Sequence, residues 1–365
     1  MHLSRDILVN IFLRLCVKTL LICRRVCKYW NDTISSSDFL KFHNELSISN
    51  PCHKVLVTFP LSTIDFNACR VKQEAKRQNW IKIPWMADFA DDFTLLGSCN
   101  GLICLGTKSN SKILWNPSTG DYQIVTPQTS GNFRGSHRPY FLSGFGINPS
   151  TGGYTIVLGC YYWDNLQQKR AIYIITQRRG RYECKRIQDI PGTTNIYQRL
   201  GVSVNGHLHW PASVHNESVV LSYNLAEEKI RSIPLNGQAI TELPDLGLSL
   251  PFPVPFTLGT CEGRLCTISK PWDAVVQRKD TFELWVMKEY GVWKSWTWLN
   301  NIEGIGDYGS LVPLGFFENG DLMVDADSRH IKRYSFKDKS ARTLQILNNL
   351  KSCSISYVET MVAPR

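Results

Sequence analysis

Few side chains in this sequence could do chemistry, and they are scattered. His207 and His209 stand two residues apart, so on a strand both imidazoles face one side, where zinc or copper could be held; no third ligand at a suitable spacing joins them. Asp321, Asp325 and Asp327 cluster in a turn-rich stretch, but the glycine and terminal glutamate of an EF-hand calcium loop are missing. Gly304, Gly306 and Gly309 spell a Gly-x-Gly-x-x-Gly dinucleotide turn. Asn300, Asn301 and Pro313 flank them and no strand–helix unit surrounds them, so they read as loop glycines. Two sets of cations interleave with aromatics: Arg70, Lys72, Lys76, Arg77 and Lys82 near Trp80 and Trp85, and Arg178, Arg179, Arg181, Lys185 and Arg186 around Tyr182. Such patches can stack bases and neutralise phosphates. Hairpin tips and edge strands carry the same residues to stay solvated and unpaired, which is the plainer reading here. The sequence has no nucleophile elbow, Walker loop or His-Glu-x-x-His motif. It gives catalysis, a metal or a cofactor no support.

Composition narrows the rest. The 365 residues are 43% apolar and 20% charged, which rules out a disordered chain. Lys and Arg number 41 against 31 Asp and Glu, a net charge of +10 that invites a nucleic-acid reading. Residues 1–50 and 51–90 contribute +3 each, however, and the other 275 residues only +4. Basicity concentrated at the front suits an acidic protein partner, so nucleic acid is not the expected ligand. Twelve cysteines are too sparse for a disulfide scaffold, none forms a Cys-x-x-Cys pair, and Cys16, Cys104 and Cys160 sit in apolar runs as small hydrophobes. The opening residues read as an amphipathic helix rather than a signal peptide. The long uncharged stretches 139–163 and 246–261 carry proline and paired glycine, so neither spans a membrane. A soluble cytoplasmic or nuclear protein is expected, with no membrane partner.

Two kinds of element must position these residues. Over residues 1–45, Ile7, Ile11 and Leu15 recur every fourth residue beside Leu8 and Phe12, a second run places Leu20 and Leu21 inward, and a third spaces Val26, Trp30 and Ile34. These spacings predict three short helices, a module too small to be robust alone. From about residue 88 the pattern turns to short strands punctuated by Gly, Asn and Pro. Asn116-Pro117-Ser118-Thr119-Gly120 is restated as Asn148-Pro149-Ser150-Thr151-Gly152. Asn100-Gly101, Asn205-Gly206, Glu262-Gly263 and Asn319-Gly320 mark tight hairpins, since a type I′ turn needs positive φ at both central residues. With Gly153 included, the turn glycines are spaced by 52, 53, 57 and 57 residues. A second hairpin falls between successive turns, around 112–125, 171–187, 219–234, 282–299 and 330–346. Two hairpins per period predict four-stranded sheets in series, the blades of a β-propeller. Strand-like residues 54–59 and 354–361 could pair and close a sixth blade, while residues 60–90 read as a basic, partly helical insertion.

The helical front resembles an F-box: the run from Leu3 to Leu15 looks like that family's opening, and Arg25-Val26-Cys27-Lys28-Tyr29-Trp30-Asn31 like its Val-Cys-Lys-x-Trp core. The remainder resembles the F-box-associated, kelch-like domain of the large plant F-box family, including its S-locus relatives. Asn100-Gly101-Leu102-Ile103-Cys104, Leu114-Trp115-Asn116-Pro117, Asn205 to Trp210, Leu284 to Gly291 and Trp293-Lys294-Ser295-Trp296 carry that likeness. The family usually has Leu-Pro where this chain has Leu3-Ser4 and Leu15-Cys16.

The resemblance implies an α plus all-β protein: a three-helix F-box over 1–45, a linker or insertion over 46–90, and a propeller of five to six four-stranded blades over 91–362. It further implies a non-catalytic substrate-recognition subunit of an SCF-type ubiquitin ligase. The F-box would dock a Skp-type adaptor, and through it cullin and RING subunits, while the propeller binds a target protein. The expected adaptor contacts are Leu3, Ile7, Leu8, Ile11, Leu15, Val17, Leu20, Leu21, Val26 and Trp30, whose apolar faces exceed what three helices can bury among themselves. A bare interaction module without ligase activity, and a propeller enzyme or lectin-like binder, are the competing readings.

Overall fold

The structure is a computed structural model. It describes residues 4–49, 53–58, 61–65, 79–80, 93–107, 111–129, 140–165, 167–178, 181–215, 217–235, 255–271, 280–347 and 353–364. Four helices open the chain: α1 (Arg5–Phe12), α2 (Val17–Cys23), α3 (Lys28–Ile34) and α4 (Ser37–Ser49). The fourth adds to the three expected. Its start is set by Ser36, whose hydroxyl accepts from the Phe39 amide at 3.4 Å, and by Asp38 in its first turn, where negative charge is favoured. Among its described side chains, only Phe39 and His43 of the apolar and aromatic residues are fully buried, a one-turn signal too short to stand out as a periodic stripe.

Among the described residues, the elements after the helices are strands, apart from one 3-10 turn at Trp293–Ser295. Three strands, β1 (His53–Thr58), β2 (Leu61–Asp65) and β3 (Asn79–Trp80), join β26 (Ser354–Val358) in a sheet of order β26-β1-β2-β3. The expected pairing of residues 54–59 with 354–361 is thus realised. Within the stretch expected to be partly helical, residues 61–65 and 79–80 are strands, and the rest lies outside the described residues. The next sheet is β4 (Phe93–Cys99), β5 (Leu102–Thr107), β6 (Lys112–Trp115) and β7 (Tyr122–Val125). Another contains β9 (Leu142–Ile147), β10 (Tyr154–Asp164), β11 (Gln167–Arg178) and β12 (Arg181–Asp189), with β8 (Gln128–Thr129) parallel to its outer strand. The fourth has β15 (His207–Val214), β16 (Glu217–Asn224) and β17 (Lys229–Pro234). Its first strand is broken into β13 (Thr194–Ile196) and β14 (Val202–Val204), which pair with opposite ends of β15. Two regular sheets follow: β18 (Phe256–Cys261), β19 (Arg264–Ser269), β20 (Phe282–Met287) and β21 (Trp296–Ile302); then β22 (Leu311–Phe316), β23 (Leu322–Ala326), β24 (His330–Ser335) and β25 (Ser340–Ile346). Six four-stranded antiparallel blades make a six-bladed β-propeller.

Two compact units divide the chain: one holds the helices, β1, β2, β4–β7 and residues 355–365, the other residues 127–354. The second strands β5, β15 and β23 are buried on both faces, so they read as near-continuous apolar runs. The outer strands β12, β17 and β25 alternate and carry the charges. That alternation explains why cations around Tyr182 mimic a nucleic-acid patch.

The turns explain the repeat. Asn100 and Gly101, Asn205 and Gly206, and Glu262 and Gly263 all hold positive φ, 49° and 78° in the first pair, as type I′ turns require. At Asn319-Gly320 only the glycine does, and a wider turn bonds Phe317 N to Asp321 O at 2.8 Å. The restated Asn-Pro-Ser-Thr-Gly segments form one and the same turn. Asn116 Oδ1 accepts from Ser118 N at 2.8 Å and Asn148 Oδ1 from Ser150 N at 2.9 Å, while Gly120 and Gly152 take positive φ. The positive φ thus falls on Gly152, one residue before the glycine counted in the period.

Candidate functional site

The helical module buries one set of side chains and exposes another. Ser4 caps α1, its hydroxyl accepting from Ile7 N at 3.5 Å, and Leu8 and Phe12, one turn apart, point inward. Phe12 meets Trp30 edge-on at 5.1 Å and Phe39 at 6.4 Å. Val17, Leu20 and Ile34 complete this core. Ile7 and Ile11, also one turn apart, remain 49% and 44% exposed, and Ile22 and Val26 are each 60% exposed. Helix α1 is therefore apolar on two sides, although only one side has anything to pack against. Exposed Arg14, Lys18, Arg25 and Lys28 lie among these residues in the sequence.

The ten expected contacts consequently divide. Ile7, Ile11 and Val26 are exposed; Leu15, Leu21 and Trp30 are half-buried against the core; Leu8, Val17 and Leu20 are inside it. Leu3 lies outside the described residues. Ile22 and Tyr29 are exposed apolar side chains that helical periodicity did not single out, because each neighbours an inward residue, Leu21 or Trp30. At the positions where prolines were expected, Ser4 has φ −62° and Cys16 φ −67°, both at the angle a proline ring imposes. Cys16 starts α2 without a side-chain bond to the helix amides, its sulfur lying 3.1 Å from Thr19 Oγ1.

Beside these helices runs a groove of about 530 Å3, whose walls include Leu13, Leu15, Leu46, His43 and Glu359. His43 stacks on Phe39 at 5.8 Å, and burial holds its pKa below the usual imidazole value, so the ring is neutral at pH 7.

The remaining candidates are occupied by structural work. His207 and His209 do face one side of β15, their rings 6.1 Å apart. His209 is buried: its Nδ1 donates to Val202 O at 3.1 Å, which leaves Nε2 to accept from the Tyr290 hydroxyl at 2.8 Å. Burial pulls its pKa down to about 4. The three aspartates are not brought together. Asp321 pairs with Arg333 at 2.7 Å, Asp325 accepts from Ser354 Oγ at 2.5 Å, and Asp327 caps the Gly309 and Ser310 amides at 2.9 and 2.7 Å. The glycines of 304–309 lie in the loop between β21 and β22, Gly304 and Gly306 at positive φ. Lys185 pairs with Glu228, and Arg186 pairs with Asp189 while stacking 4.4 Å over Tyr162. Arg70, Lys72, Lys76, Arg77, Lys82, Trp85 and Arg179, with the side chains of Trp80 and Arg178, lie outside what the structure describes. Among the described residues no helix is long and apolar enough to cross a membrane.

Comparison with known proteins bears on both regions. Residues 1–42 match the F-box domain, and residues 54–346 match the F-box associated beta propeller domain. F-box protein At3g07870 of Arabidopsis thaliana is 25% identical, covering 95% of this chain and 81% of its own. F-box protein CPR1 of the same plant is 22% identical, over 98% and 86%. The Arabidopsis F-box/kelch-repeat protein At3g23880 is 22% identical, over the whole of this chain and 96% of its own.

Proposed function

We propose, from the premise that the chain belongs to the F-box proteins with an F-box-associated β-propeller domain, that it is the substrate receptor of an SCF-type ubiquitin ligase. The helical module docks a Skp-type adaptor, which brings cullin and RING subunits, and the propeller holds a target protein on its loops. The observation that carries this reading is the surplus of exposed apolar residues on a module whose own core is already filled. Ile7, Ile11 and Val26 are the direct contacts, with Ile22 and Tyr29 added to them. Leu15, Leu21 and Trp30 form their margin. Leu3 belongs to the same set by its place in the motif, and Leu8, Val17 and Leu20 act from beneath by holding the helices in position. The receptor supplies no nucleophile; it raises the concentration of target beside the ubiquitin-charged enzyme.

Binding of full-length protein to a Skp-type adaptor tests this directly. Replacing both Ile7 and Ile11 by Glu is expected to weaken binding by about 2 kcal/mol or more while leaving the unfolding temperature unchanged. An unmodified protein that recovers neither adaptor nor cullin from plant extract would overturn the receptor reading in favour of a bare interaction module.

A further inference from the structure

The core of the helical module is completed by a residue that no helix supplies. Met361, 6% exposed, packs in one cluster with Leu8, Phe12, Val17, Leu20, Ile34 and Phe39. Methionine is unbranched and adaptable, suited to filling the gap left by side chains that cannot reach one another. Its neighbours are tied to the sheets instead. Thr360 is wholly buried and its hydroxyl donates to Asn100 O at 3.0 Å. The fit is close enough that a Cβ on Gly101 would fall 2.0 Å from Thr360 Oγ1. Asn116, wholly buried, sends its amide to Thr360 O at 2.9 Å and to Val362 O at 2.8 Å. Glu359 forms an ion pair with Lys54 of β1.

The second copy of the Asn116 turn shows what is particular here. Asn148 occupies the same turn and spends its amide on a single carbonyl, Leu225 O at 2.7 Å. At Asn116 the same geometry grips the backbone on both sides of Met361.

We propose that residues Glu359–Val362 are a latch that fixes the helical module to the β4–β7 blade, with Met361 as its key and Asn116 as its keeper. Met361 acts as a positioning residue: by completing the helical core while its flanks are held by the blade, it sets the direction in which the exposed helix residues face. This goes beyond the receptor reading and does not depend on it.

Hydrogen exchange of the full-length protein, read by mass spectrometry, tests the latch without any binding partner. Met361→Asp is expected to speed exchange of the α1 and α2 amides by about ten-fold or more, with β10 and β11 unchanged, and Met361→Leu is expected to restore protection. Asn116→Ala, which leaves Met361 in place but frees its backbone, is expected to give a smaller rise confined to the helices and residues 359–362. Helical protection unchanged in Met361→Asp would overturn the proposal. Should Met361→Asp expose β10 and β11 as well, Asn116→Ala decides: a rise confined to the helices supports the latch, and unchanged helices overturn it.

Discussion

The helices and the blades handle apolar area in opposite ways. The β9–β12 and β13–β17 blades share a sealed cluster in which Leu142, Val157, Ile172, Trp210 and Tyr223 fill one another's gaps. Between α1 and α4, by contrast, seven large apolar side chains stay exposed, almost as many as the eight found in all the rest of the described residues. Blades such as these meet each other and so finish their core within the chain. A four-helix module of under fifty residues has nothing comparable to cover its second face. Its core is closed by a borrowed methionine, and the surplus remains available for a partner.

Substitutions can break that contrast or sharpen it. The largest effect is expected at Trp210, 1% exposed and bonded through Nε1 to Ser143 O at 3.0 Å. Trp210→Ala should cost about 3–5 kcal/mol in urea unfolding, whereas Ile7→Ala should stay within about 0.5 kcal/mol. Comparable losses at both sites would erase the distinction. Next in size is acid. His209 is held neutral in the fold, with a pKa of about 4, while the unfolded chain protonates near 6.5. The unfolded state therefore binds the extra proton first, and stability falls as pH drops from about 6.5 to about 4, by about 3 kcal/mol in all. The slope of the urea midpoint against pH over that window should flatten in His209→Gln.

A smaller and opposite trend belongs to Asp325, 4% exposed, whose carboxyl is held above its usual range by burial. Here the folded state keeps its proton longer than the unfolded one, so stability falls as pH rises from the ordinary carboxylate range through the raised value. Asp325→Asn should remove that loss and add about 1 kcal/mol at pH 7, read from the same urea midpoints. The smallest effect returns to the helices. Cys16 already holds a proline-compatible φ of −67°, so Cys16→Pro should raise stability by about 0.5 kcal/mol, seen as a modest rise in unfolding temperature.

What could be read from sequence was whatever is decided within a few residues. Asn-Gly pairs betray their hairpins because positive φ is a property of the two residues themselves, and the Asn-Pro-Ser-Thr-Gly turn recurs because the bonds from Asn Oδ1 that shape it are local. A third turn of this kind is silent in the sequence: Asn224 Oδ1 accepts from Ala226 and Glu227 amides at 2.9 Å, but Glu228 takes the positive φ without glycine or proline to announce it. Helical periodicity identified the apolar residues of 1–45 but not which of two apolar sides meets the module's own core. That choice depends on Phe39 from the unexpected α4 and on Met361 from beyond the last blade, neither of which local spacing can supply.

The ion pair between Lys54 and Glu359 joins residues 305 positions apart, and Met361 lies two residues further on. During translation the helices leave the ribosome about three hundred residues ahead of the side chain that closes their core. At roughly 5–20 residues per second, that interval is about 15–60 s. Until then Phe12 and Leu20 lack the side chain that completes their cluster. Closure of the helical core therefore waits on a residue made after the final blade.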